Sequence, residues 1–148
     1  RSTLFPYTTL FRSVFVHFRK AFDSVNHQLL IKKLPGFGIQ NQELKWFENY
    51  LTNRCQSVVY GSAQSASQQI KSGVPQGSIL GPILFSMYID DLPSCLLQSQ
   101  ILLYADDAVL FYGDSNIRKI STVLNKDVKQ LQSWTYHNKL CIHPVKTE

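Results

Sequence analysis

The chain has 148 residues, of which 44% are hydrophobic and 17% charged, with a formal net charge of +5. That composition fits a globular chain of one domain at most, long enough to bury a real core. Three scattered cysteines, Cys55, Cys95 and Cys141, exclude a disulfide framework and make a reducing intracellular compartment, nucleus or cytoplasm, the expectation.

The basic balance is partly local. Residues 1–13 carry two arginines and no acid; without them 13 basic and 10 acidic residues remain, a net of +3. That excess points weakly to an acidic partner such as nucleic acid and is no basic patch. His137, Cys141 and His143 lack a second ligand pair at zinc-finger spacing, so they read as a core cysteine with two surface histidines.

In chain order, Thr3–Ser13 has no periodicity that continues beyond Ser13. All eleven residues resemble the in-frame translation of a sequencing-adaptor oligonucleotide. Residues 1–13 are therefore set apart from fold reasoning, with protein sequence expected upstream. Val14–Phe18 is apolar and β-branched apart from His17 and predicts a buried strand. Asp23, Ser24 or Asn26 can cap a helix running to about Leu34, with Val25, Leu29, Leu30 and Leu34 on its apolar face. Pro35-Gly36-Phe37-Gly38 stops that helix.

From Gln42 to Leu51, Leu44, Phe47 and Leu51 give a second amphipathic helix with Trp46 and Tyr50. Arg54–Tyr60 and Ser67–Lys71 then predict a polar hairpin around Gly61, where Arg54 and Lys71 can touch a phosphate backbone or simply face solvent. Gly73–Pro82 is a glycine- and proline-rich loop whose backbone can approach another molecule closely, and Ser78 can cap the helix it opens. Unpaired N–H groups at such a helix start suit a phosphate or a base edge. The apolar run Ile83–Ile89 is far shorter than the roughly 20 residues of a membrane span.

Leu102–Phe111 holds two apolar runs that meet at Asp106 and Asp107, which predicts two buried strands with the acids at the tip of a tight turn. Adjacent side chains on extended backbone point to opposite faces, so both acids reach one ion only if the turn re-aims one of them. Carboxylates so close repel unless a cation sits between them, and hard oxygen ligands select Mg²⁺ or Mn²⁺. Asp is equally a favoured turn residue, so the pair alone also suits a plain turn. Ile117, Ile120, Leu124, Val128, Leu131 and Trp134 predict a long helix from about Asn116 to His137, and Leu140–Ile142 a last short strand. The layout is α+β, an antiparallel sheet with helices on one face in a βαββαβ-like order.

Three stretches now act together. Phe18-Arg19-Lys20-Ala21-Phe22-Asp23, Gly73-Val74-Pro75-Gln76-Gly77-Ser78-Ile79-Leu80-Gly81-Pro82 and Tyr104-Ala105-Asp106-Asp107 resemble motifs A, B and C of reverse transcriptases, in that order. Trp46-Phe47, Tyr50-Leu51, Asn53-Arg54, Asn138-Lys139-Leu140 and Lys146-Thr147-Glu148 resemble the non-LTR, LINE-type retrotransposon branch. The resemblance covers Val14 to Glu148. It implies a polymerase palm working with RNA template, DNA primer and deoxynucleoside triphosphates through two Mg²⁺ (or Mn²⁺) ions held by Asp106 and Asp107. It places Phe22 as the gate against a ribose 2′-hydroxyl, with Ala21 beside the sugar, Gln76 and Gly77 against nucleotide and template, and Lys146 as proton donor to pyrophosphate. Phe22 equally suits a core position, and Lys146 a solvated terminus. The family's fingers are expected before Val14 and its thumb after Glu148; no membrane is implied, and the oligomeric state stays open.

One departure outweighs the matches. His17 stands where the family carries a third metal-binding aspartate, and a neutral nitrogen donor replaces a carboxylate poorly at a Mg²⁺ pair. Asp23 lies beyond the strand and reads as a helix cap, unable to substitute. Little or no polymerase activity is therefore expected of this chain, the alternative being a non-catalytic nucleic-acid-binding remnant.

Overall fold

The computed structural model describes residues 9–144 and Thr147. They form two compact units, one of the described residues up to Arg19 and from Asp90 onward, the other of Lys20–Ile89.

The first unit is built on a three-stranded antiparallel sheet. Strand β1 (Leu10–His17) lies beside β7 (Asp107–Asp114), which pairs in turn with β6 (Gln100–Tyr104). Alternation along the strands sends Val16, Ala108 and Leu110 into the core and Phe15, Leu102 and Tyr104 out to solvent. Helix α5 (Ile117–His137) packs on β7 and β1, burying Ile120, Val123, Leu124 and Leu131. Its start is fixed by Asn116, whose side chain accepts from the Arg118 and Lys119 N–H groups.

The strand begins at Leu10, four residues before the apolar pattern predicts. Leu10–Ser13 pair with Phe111–Asp114, and the Phe11 and Phe111 rings lie 5.6 Å apart, so ladder hydrogen bonds and one aromatic contact carry the pairing outward. The last strand expected at Leu140–Ile142 is a single bridge from Ile142 to Phe18. Its flanking bonds run from Arg19 N–H to the Cys141 carbonyl and from His143 N–H to the His17 carbonyl, each 2.7 Å. Pro144, which has no N–H to donate, comes directly after His143. Cys141 is exposed, not a core residue, because Leu140 takes the inward position.

The helix stripe is also shifted. Asp127, not Val128, takes the buried position on α5. Its carboxylate accepts from the Leu97, Gln98 and Ser99 N–H groups at 2.8, 3.1 and 2.6 Å and from the Ser99 hydroxyl at 2.5 Å. A buried acid is tolerated when its oxygens are this fully paired.

In the second unit, the single helix expected to reach Leu34 is divided into α1 (Ala21–Ser24) and α2 (His27–Lys33), with a 3₁₀ turn at Leu34–Phe37. Asn26 is the cap, its Oδ1 accepting from Leu29 N–H at 3.0 Å; Asp23 lies inside α1 and caps nothing. Gly38, at φ 82°, closes the run. Helix α3 spans Asn41–Leu51. The polar hairpin around Gly61 consists of four two-residue strands, β2 (Cys55–Gln56) with β5 (Gln68–Gln69) and β3 (Val59–Tyr60) with β4 (Ala63–Gln64). Helix α4 (Leu80–Ile89) packs on α2 and buries Leu84, Phe85 and Tyr88. Among the described residues no helix is long and apolar enough to cross a membrane.

Candidate active site

The hairpin between β6 and β7 closes at the Tyr104–Asp107 pair, leaving Ala105 and Asp106 as its loop. Such a short reversal demands left-handed backbone, and Ala105 adopts φ 51°. Asp107 is thus the first residue of β7, and only Asp106 lies in the turn. The re-aiming that two adjacent acids require comes from this loop.

In the β1–β7 register His17 stands opposite Asp107. Its Nδ1 lies 2.8 Å from Asp107 Oδ1 and its Nε2 3.8 Å from Asp106 Oδ2. An ionised carboxylate only accepts, so the Nδ1–H donates to Asp107. The side chains are 27% exposed for His17, 34% for Asp106 and 64% for Asp107, open enough to meet a ligand. A shallow pocket of about 410 Å³ lined by Phe15, Val16, His17, Asp107, Ala108 and Val109 runs beside them. The three positions taken from the motifs therefore converge on one corner of the sheet.

The donor set tests the expected ions. Two carboxylates suit a hard divalent cation; the imidazole supplies nitrogen in place of the third carboxylate and engages Asp107 itself. Among the described residues no three His, Cys, Asp or Glu side chains form a ready metal cluster.

The residues expected against the nucleotide lie in the second unit. Ala21 is buried, and the Phe22 ring packs 4.7 Å from that of Phe85. Val74 N–H donates to the Phe22 carbonyl at 2.9 Å, which ties the Gly73–Pro82 loop to α1. Gly77, at φ 79°, takes a left-handed turn that favours glycine. Gln76 is exposed, and its Nε2 donates to Asp23 Oδ1 at 2.9 Å. Both side chains line a cavity of about 830 Å³ together with Lys20, Arg54 and Lys71; Ala21, Phe22 and Gly77 do not line it. Ser78 performs as expected, its hydroxyl accepting from Gly81 N–H at 3.0 Å. Lys146 lies outside the described residues.

Sequence reasoning missed Asp23 as a partner of Gln76. No local signal marks a pair 53 residues apart; the one available hint was an acid three residues before a better cap, Asn26.

Comparisons with known proteins point the same way. Residues 12–148 match the family model described as reverse transcriptase (RNA-dependent DNA polymerase). The "Probable RNA-directed DNA polymerase from transposon BS" of Drosophila melanogaster is 30% identical over 148 residues, covering 91% of this chain and 16% of that protein. The RNA-directed DNA polymerase from mobile element jockey of Drosophila funebris is 30% identical over 141 residues, covering 90% of this chain and 15% of its own length. The chain thus spans less than a fifth of these relatives. In fold it is similar to telomerase from Candida tropicalis, solved with the TWJ fragment of telomeric RNA, at a TM-score of 0.69 and 15% identity over 96% of this chain and 26% of that one.

Proposed function

The chain belongs to the reverse transcriptase family of retrotransposon RNA-directed DNA polymerases, and from that premise we propose that it is part of a polymerase palm that keeps the carboxylate corner but does not itself extend a primer. The observation that carries this reading is the meeting of His17, Asp106 and Asp107 across β1, β7 and their loop. Asp106 and Asp107 would hold divalent ions, Mg²⁺ or Mn²⁺, which when bound polarise the primer hydroxyl and stabilise charge in the displacement. His17 donates to Asp107 and so withdraws one of its oxygens from that task. Template RNA, DNA primer and deoxynucleoside triphosphates are the ligands this reading assigns. The order of Ile142, β1, β7 and β6 across the sheet supports a ferredoxin-like palm core.

One observation favours a second reading, a nucleic-acid-binding remnant. The face of the sheet away from α5 exposes Phe15 and Tyr104, 56% and 84% accessible, in the manner of strands that stack bases.

Primer extension on an RNA template is expected to give no product above background. Mn²⁺ titration should show binding that Asp106→Ala and Asp107→Ala abolish. Extension by the unaltered chain would refute the inactivity, and Mn²⁺ binding indifferent to both alanines would refute the assigned ligands.

A further inference from the structure

The pair formed by Asp23 and Gln76 joins two segments that are already locked together. Ser72 Oγ donates to the Asp23 carbonyl at 3.1 Å, Gly73 N–H to the Val25 carbonyl at 2.7 Å, and Val74 N–H to the Phe22 carbonyl at 2.9 Å. Gly73, at φ 89°, sits so close that a Cβ there would meet Asp23 Cα and its carbonyl oxygen at 2.9 Å. On the other side of Gln76, the Pro75 carbonyl accepts from the Ser78 hydroxyl at 2.7 Å. Both ends of the side-chain bond are therefore anchored before it forms, which removes much of the entropy that weakens an exposed hydrogen bond.

The chemistry of the pair is directional. A carboxylate accepts only, so Asp23 takes an N–H of the Gln76 amide and leaves Oε1 as that amide's acceptor. With no acceptor at position 23 the amide is free to turn over and present N–H instead. The cavity the two side chains line also carries Lys20, Arg54 and Lys71, cationic groups suited to phosphate.

Building on the polymerase reading, we propose that Asp23 is a positioning residue: it fixes the Gln76 amide with its oxygen available, so that the cavity takes a nucleoside triphosphate, phosphates toward the basic side chains and a sugar hydroxyl or base N–H donating to Gln76 Oε1. Asp23 does not touch the ligand in this scheme; it acts through Gln76.

The test is nucleotide binding by the full chain in EDTA, which keeps the Asp106–Asp107 corner out of the measurement. Deoxyadenosine triphosphate is titrated against the unaltered chain and the Asp23→Ala, Asp23→Asn, Gln76→Ala and doubly substituted Asp23→Ala/Gln76→Ala variants, each checked for an unchanged unfolding midpoint. Asp23→Ala and Gln76→Ala are each expected to weaken binding about fivefold, and the double variant no further. Asp23→Asn, which keeps an acceptor oxygen, should stay within about twofold. Inorganic tripolyphosphate, which has no donor for Gln76, should be affected by none of them. Should Asp23→Ala unfold, Gln76→Glu replaces it: a carboxylate facing Asp23 weakens nucleotide binding, and Asp23→Asn in that background restores part of it.

Losses that multiply in the double variant overturn the proposal, as do equal losses for tripolyphosphate or an unaltered chain that does not bind the nucleotide. Multiplying losses with Mn²⁺ binding intact count against Asp23 alone. Loss of Mn²⁺ binding with the coupling intact counts against the polymerase reading alone.

Discussion

His17 and Asp107 face each other across the β1–β7 ladder with Nδ1 and Oδ1 2.8 Å apart. The side chain at position 17 is therefore set by strand register, and a carboxylate placed there would face Asp107 from the same rung of the ladder. The His17 carbonyl is itself held by His143 N–H at 2.7 Å, which pins the backbone on its outer side.

Substituting His17→Asp should raise Mn²⁺ affinity at least about tenfold, because a third ligand charge is added beside two others. The same variant should be less stable without metal, where like charges crowd one corner. Isothermal titration and urea unfolding in EDTA measure the two effects. Primer extension is expected to remain at background.

Asp127 makes a stability prediction with a definite pH sign. Burial pushes its carboxyl up, but hydrogen bonds from Ser99, Leu97 and Gln98 outweigh that and hold it below its ordinary value. The stabilisation is thus complete above the unfolded-state value, about 3.9, and is lost as pH falls through the lower folded-state value. Asp127→Ala should cost about 2–4 kcal/mol at neutral pH by stranding the N–H groups of residues 97–99. Urea unfolding between pH 2 and 7 should show a steeper acid loss for the unaltered chain than for Asp127→Asn.

Gly73 and Gly36 form a contrasting pair. At Gly73 an added methyl meets Asp23 backbone at 2.9 Å and the backbone is left-handed, whereas at Gly36 nothing lies within 4 Å. Gly73→Ala should destabilise by about 2–4 kcal/mol and Gly36→Ala should change stability by less than about 0.5 kcal/mol. Equal unfolding midpoints for the two variants would contradict the close approach of residues 72–74 to α1.

The exposed sheet face offers a test of the second reading. Phe15→Ala and Tyr104→Ala remove mostly solvated rings, so stability should change little. Binding of a labelled single-stranded RNA should weaken by about 1–3 kcal/mol per stacked base lost. Unchanged RNA affinity in both variants would leave the sheet face without a role in binding.

Much of this molecule is local in origin. Asp106 and Asp107 between two apolar runs, Gly38 after α2, Ser78 before α4 and the apolar stripe of α5 each express short-range physics: turn chemistry, caps and periodicity. Order along the chain likewise makes the motif resemblance legible from residues alone. What required the tertiary structure was every relationship spanning distant segments. Register between β1 and β7 brought His17 to Asp107, the absence of room beside Gly73 bound its loop to α1, and Asp127 displaced Val128 from the stripe because three N–H groups of another segment needed an acceptor. A side chain's neighbours in sequence fix its backbone preferences, but its hydrogen-bond partner is decided by which distant group packing leaves within about 3 Å.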